Sequence, residues 1–150
     1  MEEKIRFFLD IILISAAGLA QSLSLVVFNG IKPDLVLAAL AVLIFSEREF
    51  WKYLILVLIS LICLNYSVFI PKELAIFGAL MLSAFYFKRY LSENVLLYSV
   101  LFTSVLTVLL YLFIDPGFIF SHFDLFALEL FYNILISLIF GYLYNYGHEK

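Results

Sequence analysis

Two histidines, one cysteine and twelve carboxylates are the material from which this chain would have to build a catalytic or metal site. His122 lies in a loop and His148 near the C-terminus, while Cys63 stands alone in an apolar run. That leaves no disulfide framework and no thiol-based metal site. The chain has no HExxH motif, no phosphate-binding glycine loop and no nucleophile elbow. Phospholipid or peptidoglycan chemistry calls for several carboxylates, histidines or arginines near one membrane face. Here the acidic residues are mostly scattered at helix ends. The expectation is a protein that is not an enzyme and holds no cofactor or metal.

The polar residues that do form patterns sit inside apolar segments. Glu129, Asn133, Ser137 and Gly141 recur every four residues and so share one helix stripe. An intramembrane carboxylate is costly and usually faces a bundle interior or a cavity. Two readings follow: a polar pocket or partner-binding seam, or plain interhelical hydrogen bonding, the simpler of the two. Ala16, Ala17, Ala20, Gln21 and Ser24 form a small, weakly polar face on the first helix. Such faces let helices approach closely, and Gln21 can hydrogen-bond across the contact. That face either packs within the bundle or docks another membrane protein. Asp10, near its inner end, can pair with Arg6 one turn earlier. Ala75, Ala79 and Ser83, with Gly78 beside them, predict a packing stripe on the fourth helix. The 115–124 loop, DPGFIFSHFD, carries Phe118, Ile119, Phe120 and Phe123 and no basic residue. Those aromatics lie flat in lipid headgroups or form a patch awaiting a partner.

The elements that must position these residues follow from composition. Of 150 residues 65% are hydrophobic and 14% charged, with a mean hydropathy of +1.10. Soluble domains are about 45–50% apolar and about 25% charged, so lipid is the solvent this chain requires. A net charge of −3 excludes a strongly basic nucleic-acid binder. Six apolar segments appear, at 5–28, 33–45, 51–69, 74–87, 94–114 and 125–146. A span takes about 20 residues. The second and fourth segments are short, and are extended into their flanks, shielded inside the bundle or re-entrant. The fold class is all-α: one polytopic membrane domain over 1–150, a six-helix bundle with termini cytoplasmic. With that orientation Lys4, Arg6, Arg48, Lys52, Lys88, Arg89 and Lys150 lie inside, and only Lys32 and Lys72 outside. That is the bias of the positive-inside rule. Trp51, Tyr53, Tyr86, Tyr90, Tyr142, Tyr144 and Tyr146 form an inner aromatic belt, with Tyr66 and Tyr111 near the outer one. The N-terminal segment has the look of a signal peptide, but Asp10 interrupts it, so it is read as a retained first helix.

The stretch 21–45, QSLSLVVFNGIKPDLVLAALAVLIF, organises the rest. Asn29 and Gly30 can adopt left-handed dihedrals and close a helix. Lys32 is pushed toward extended backbone by the following proline. Pro33 suits a first helical position, and Asp34 suits the first turn, where the helix dipole favours it. The result is a helix hairpin.

This turn and its flanks resemble the bacterial rod shape-determining protein MreD family, whose early part reads as a helix ending near glutamine, a G-x-x-P-D-L turn and another apolar run. Here those are Gln21, Gly30, Pro33, Asp34 and Leu35. Tyr132-Asn133 followed by an apolar run is similar to the family's closing helix, and length and segment number agree. The resemblance implies a non-enzymatic subunit of the elongation machinery in the bacterial cytoplasmic membrane. Its implied partners are an MreC-like single-pass protein, a RodA-type glycosyltransferase and a penicillin-binding transpeptidase. Pro33 and Asp34 carry over as a structural turn. Ala16, Ala20, Gln21, Phe118, Phe120, Phe123, Glu129 and Asn133 become candidate partner contacts. A second resemblance, through the Ala16/Ala20 small-xxx-small pair, is to the substrate-binding subunits of energy-coupling-factor vitamin transporters. It implies an outward pocket near Glu129 and the outer loops.

Overall fold

Leu35–Ser46, LVLAALAVLIFS, has no polar face, and a helix of that kind belongs in an interior. In the computed structural model every residue from Leu35 to Ile44 is buried. The structure describes residues 2–27, 30–65, 71–91 and 94–148, with side chains from 3 to 144 of these. Seven α-helices appear among them: α1 (Glu2–Ser22), α2 (Leu35–Ser46), α3 (Phe50–Leu64), α4 (Lys72–Phe87), α5 (Val95–Ile114), α6 (Pro116–Ser121) and α7 (Phe123–His148). A 3₁₀ turn, Lys88–Tyr90, follows α4. Helices α1, α3, α4, α5 and α7 all pack on α2, which forms the axis of the array.

The chain is thus a helical membrane protein, with no strand among the described residues. Three helices are long and apolar enough to cross a bilayer: Glu3–Ser22 in α1, Val95–Ile114 in α5 and Phe123–Tyr144 in α7. Six helices were too few for the described residues, because the aromatic loop folds as α6. Asp115 caps it through the Phe118 N–H at 3.2 Å, and Pro116 opens it, where a missing N–H costs nothing.

Other boundaries shift for local reasons. The first helix ends at Ser22 rather than 28, closed without a glycine. Ser24 adopts φ +52°, the Leu25 N–H donates to the Ala20 carbonyl (2.9 Å), and the Ser24 N–H donates to the Gln21 carbonyl (3.1 Å). That is a Schellman closure with serine in the left-handed position. Gly30 does take a left-handed φ of +81°, but in the extended link beyond, and Asn29 lies outside the described residues. Pro33 precedes the helix instead of starting it. Asp34 is the N-cap, its carboxylate accepting the Leu37 N–H at 2.9 Å. The third helix stops at Leu64, and 66–70, with Tyr66, lie outside the described residues. At 15 residues α3 is about 22 Å long, and α2 about 18 Å, against roughly 30 Å of hydrocarbon.

Close helix contacts rely on missing side chains. A Cβ on Gly18 would stand 2.6 Å from Cys63 Cβ, so α1 and α3 meet at van der Waals contact there. Ser22 ties the same pair, donating to the Cys63 carbonyl at 2.7 Å. On α4 it is Gly78, against Leu61 of α3, that packs, while Ala75, Ala79 and Ser83 are exposed. Tyr53 leaves the expected belt for the core, where it is fully buried and stacks on Phe85 with ring centroids 5.2 Å apart. Trp51, Tyr86, Tyr90 and Tyr142 are exposed as a belt requires, and the Tyr146 side chain lies outside the described set.

Candidate functional site

A buried helix shorter than a bilayer meets protein, not water, at its ends, and its first N–H and last C=O groups need partners there. Both ends of α2 are served by side chains distant in sequence.

At the N-terminal end three elements converge. Asp34 caps Leu37 as described. Gln21, in the last turn of α1, accepts the Val36 N–H on its Oε1 at 2.9 Å. Asn133, fully buried on α7, accepts the Asp34 backbone N–H on its Oδ1 at 2.7 Å. Its Nδ2 donates to Thr107 Oγ1 of α5 at 3.3 Å. Those two bonds fix which way the Asn133 amide points.

Asn133 is one rung of a longer ladder. The α7 stripe faces an equally spaced stripe on the antiparallel α5. Tyr111 donates to Glu129 Oε2, Thr107 meets Asn133, Thr103 donates to Ser137 Oγ at 3.0 Å, and Ser99 lies opposite Gly141. A Cβ on Gly141 would come within 3.2 Å of Ser99 Oγ. Of the two readings of the α7 stripe, interhelical hydrogen bonding is what the geometry displays. The α5 half went unread, although Ser99, Thr103, Thr107 and Tyr111 carry the same four-residue spacing. Phe118 joins the outer rung by stacking on Tyr111 (5.2 Å) and on His122 (5.2 Å).

Not every candidate joins this cluster. Ala16 is exposed on α1, whose buried side is Ile14, Ala17 and Gly18, and Ala20 is half-buried. Phe120 and Phe123 are 83% and 65% exposed and touch nothing in the network. Gln21, Glu129 and Asn133 each hydrogen-bond within the chain. Between the α2 N-terminus and α4 a cavity of about 250 Å³ is lined by Gln21, Lys32, Asp34 and Glu73, with Phe77 and Leu110 beneath.

The C-terminal end of α2 is held by cations. Lys88 Nζ donates to the Ile44 carbonyl at 2.6 Å and to the Glu47 carbonyl, and lies 3.8 Å from the Phe85 ring centroid. Burial pushes its ammonium down to about 8, with Glu47 opposing that shift and Arg89 adding to it. Nothing in the sequence pointed to this cap beyond a basic pair after a helix. Arg6 does not form the predicted salt bridge to Asp10. It donates to Ser46 Oγ through Nη2 (2.8 Å) and Nε (3.2 Å) and stands over the Tyr144 ring. Asp10 is buried and turned to the Glu47 carboxyl. Lys52 bridges Glu3 (2.5 Å) and Glu49 (3.2 Å), tying α1 to α3.

Compared with protein-family models, with curated proteins and with solved structures, the chain matches none.

Proposed function

We propose that this chain is a non-enzymatic subunit of the bacterial cell-elongation complex that binds and organises an MreC-type partner in the cytoplasmic membrane. One observation carries the reading. The residues of the MreD-like pattern that are widely separated in sequence form one unit, with Gln21, Asp34 and Asn133 all hydrogen-bonded at the start of the central helix. A motif whose members cap a buried helix is a fold signature, as a scaffold subunit requires. In this reading α6 lies along the outer interface, the six longer helices alternate in direction between the two faces with the short α2 shielded inside the bundle, and both termini face the cytoplasm. The gathering of Arg6, Arg48, Lys88 and Arg89 at one end supports that orientation.

The partner surface is then the exposed apolar one: Phe120 and Phe123 with Phe118 at the outer end, and Ala16 with Ala20 on the α1 flank. Capture of the tagged chain from its native membrane in gentle detergent, read by mass spectrometry, should recover an MreC-like protein together with a RodA-type glycosyltransferase and a penicillin-binding transpeptidase. Replacing Phe118, Phe120 and Phe123 with serine should deplete the MreC-like protein. Unchanged recovery would remove the loop from the interface.

The cavity beside Gln21 and Asp34 favours a second reading, a substrate-binding subunit of an energy-coupling-factor transporter. Its 250 Å³ falls below the roughly 300–1,000 Å³ of ordinary ligand sites, which ranks this reading lower. The same capture would then return paired ATPases and a coupling membrane subunit.

A further inference from the structure

Four cations surround a cavity of about 550 Å³ at the C-terminal end of α2: Arg6, Arg48, Lys88 and Arg89. Among the described residues no carboxylate lines it, and the salt bridges involve only Lys52. Glu3 and Glu47 border a neighbouring hollow that shares Arg6 and Arg48, but Glu3 is bridged to Lys52, and Glu47 interacts with Asp10 and contributes a backbone carbonyl to Lys88. Four cations against two flanking carboxylates that are already engaged leave an excess of positive charge, which a bound anion would offset. Arginine forks match phosphate oxygens in pairs, and Arg48 and Arg89 are exposed with no ion pair to break. Arg6 is already held in place by Ser46 and Tyr144, so little freedom is lost when it binds.

A second hollow adjoins the first. Between α4 and α5 runs an apolar groove of about 410 Å³, lined by Leu80, Ala84, Phe102, Val105 and Leu109 and reaching Leu91. Leu91 lines both spaces, and the 3₁₀ turn Lys88–Tyr90 forms the wall between them. A basic pocket at a membrane interface, one turn away from an apolar channel along the helices and sharing Leu91 with it, has the two-part shape of a phospholipid. A free phosphate would use only the first part.

We propose that the cavity and groove together bind one anionic phospholipid, its phosphate among Arg6, Arg48, Lys88 and Arg89 and one acyl chain between α4 and α5. This holds whichever complex the chain joins.

The test uses the delipidated full-length protein in detergent, titrated with dioleoyl phosphatidic acid, dioleoyl phosphatidylcholine or sodium phosphate. Native mass spectrometry reads stoichiometry and a thermal shift reads affinity. One phosphatidic acid per chain should bind about tenfold or more tighter than phosphatidylcholine. Arg48→Gln with Arg89→Gln should remove that preference. Val105→Trp, at an exposed groove position, should weaken the lipid without altering the response to phosphate. The unliganded Tm of each variant is the folding control, and the groove variant alone decides if the double arginine variant fails it. Equal binding of phosphatidylcholine, or a preference that survives both arginine substitutions, would overturn the proposal. So would a response to inorganic phosphate matching that to the lipid and untouched by Val105→Trp, which would identify a free anion as the ligand.

Discussion

The Asp34 backbone N–H and the Asn133 side chain, ninety-nine residues apart, meet at 2.7 Å over the N-terminus of a fully buried helix. That contact joins the cap of α2 to the α5–α7 ladder, so the two polar features of the bundle are one network. Replacing Asn133 with alanine should cost about 1–3 kcal/mol by leaving the Asp34 N–H without an acceptor. Asn133→Asp keeps an acceptor and should cost less of this term in a detergent unfolding titration. Equal loss in the two variants would assign the effect to packing.

Tyr111 and Glu129 form the outer rung of the ladder. A double-mutant cycle with Tyr111→Phe and Glu129→Met should return a coupling of about 0.6–1.7 kcal/mol, the range for hydrogen bonds between membrane helices. A coupling near zero would mean each side chain finds another partner.

Gly18 tests the α1–α3 contact with unusual specificity. Gly18→Ala should destabilise by about 1–3 kcal/mol, since its Cβ would overlap Cys63 Cβ. Cys63→Gly should relieve the overlap. Cys63→Ala should not, because the clashing atom remains. Thermal unfolding of Gly18→Ala alone and combined with each Cys63 substitution decides it.

Lys88 predicts a pH dependence whose sign is fixed. Burial lowers its folded pKa to about 8 from 10.5, so between those values the unfolded chain holds more protons on this group. Stability should therefore rise with pH from about 8 to 10.5 and level off above. Lys88→Met should remove that rise from the difference between two pH-dependent unfolding series.

Orientation is open to direct labelling. Single cysteines at Lys32, Lys72 and Ser121, in a chain lacking Cys63, should all react with an impermeant thiol reagent from outside. Labelling only from the cytoplasmic side would reverse the assignment of the two faces.

How much of this could be read from residues alone varied with the range of the interaction. The second segment was legible as short, with extension, shielding inside the bundle and re-entry all open to it, and of these the structure displays shielding. The α7 stripe stood out because Glu129 and Asn133 are expensive in an apolar helix. Its mate on α5 is built of serine and threonine, which membrane helices tolerate in many settings, so Ser99, Thr103 and Thr107 gave little contrast. The end of α1 was misplaced because the eye goes to Asn29-Gly30, while Ser24 makes the left-handed turn itself. Gln21 was singled out for bonding between helices, but its acceptor role at the Val36 N–H depends on a hairpin geometry that no local pattern specifies. Lys88 and the Ile44 carbonyl, 44 residues apart, were beyond any local argument.

The wrapping of α2 has a consequence for how the protein is made. Asp34 leaves the ribosome ninety-nine residues before Asn133, which at roughly 5–20 residues per second is about 5–20 seconds. Through that interval the second helix is in or near the membrane with one end of its hydrogen-bond set incomplete, and only the arrival of α7 closes it. Early helices of this chain therefore cannot mature as an independent half. Nascent chains halted before α7 should present to the insertion and quality-control machinery an unfinished centre, which Asn133 of α7 completes.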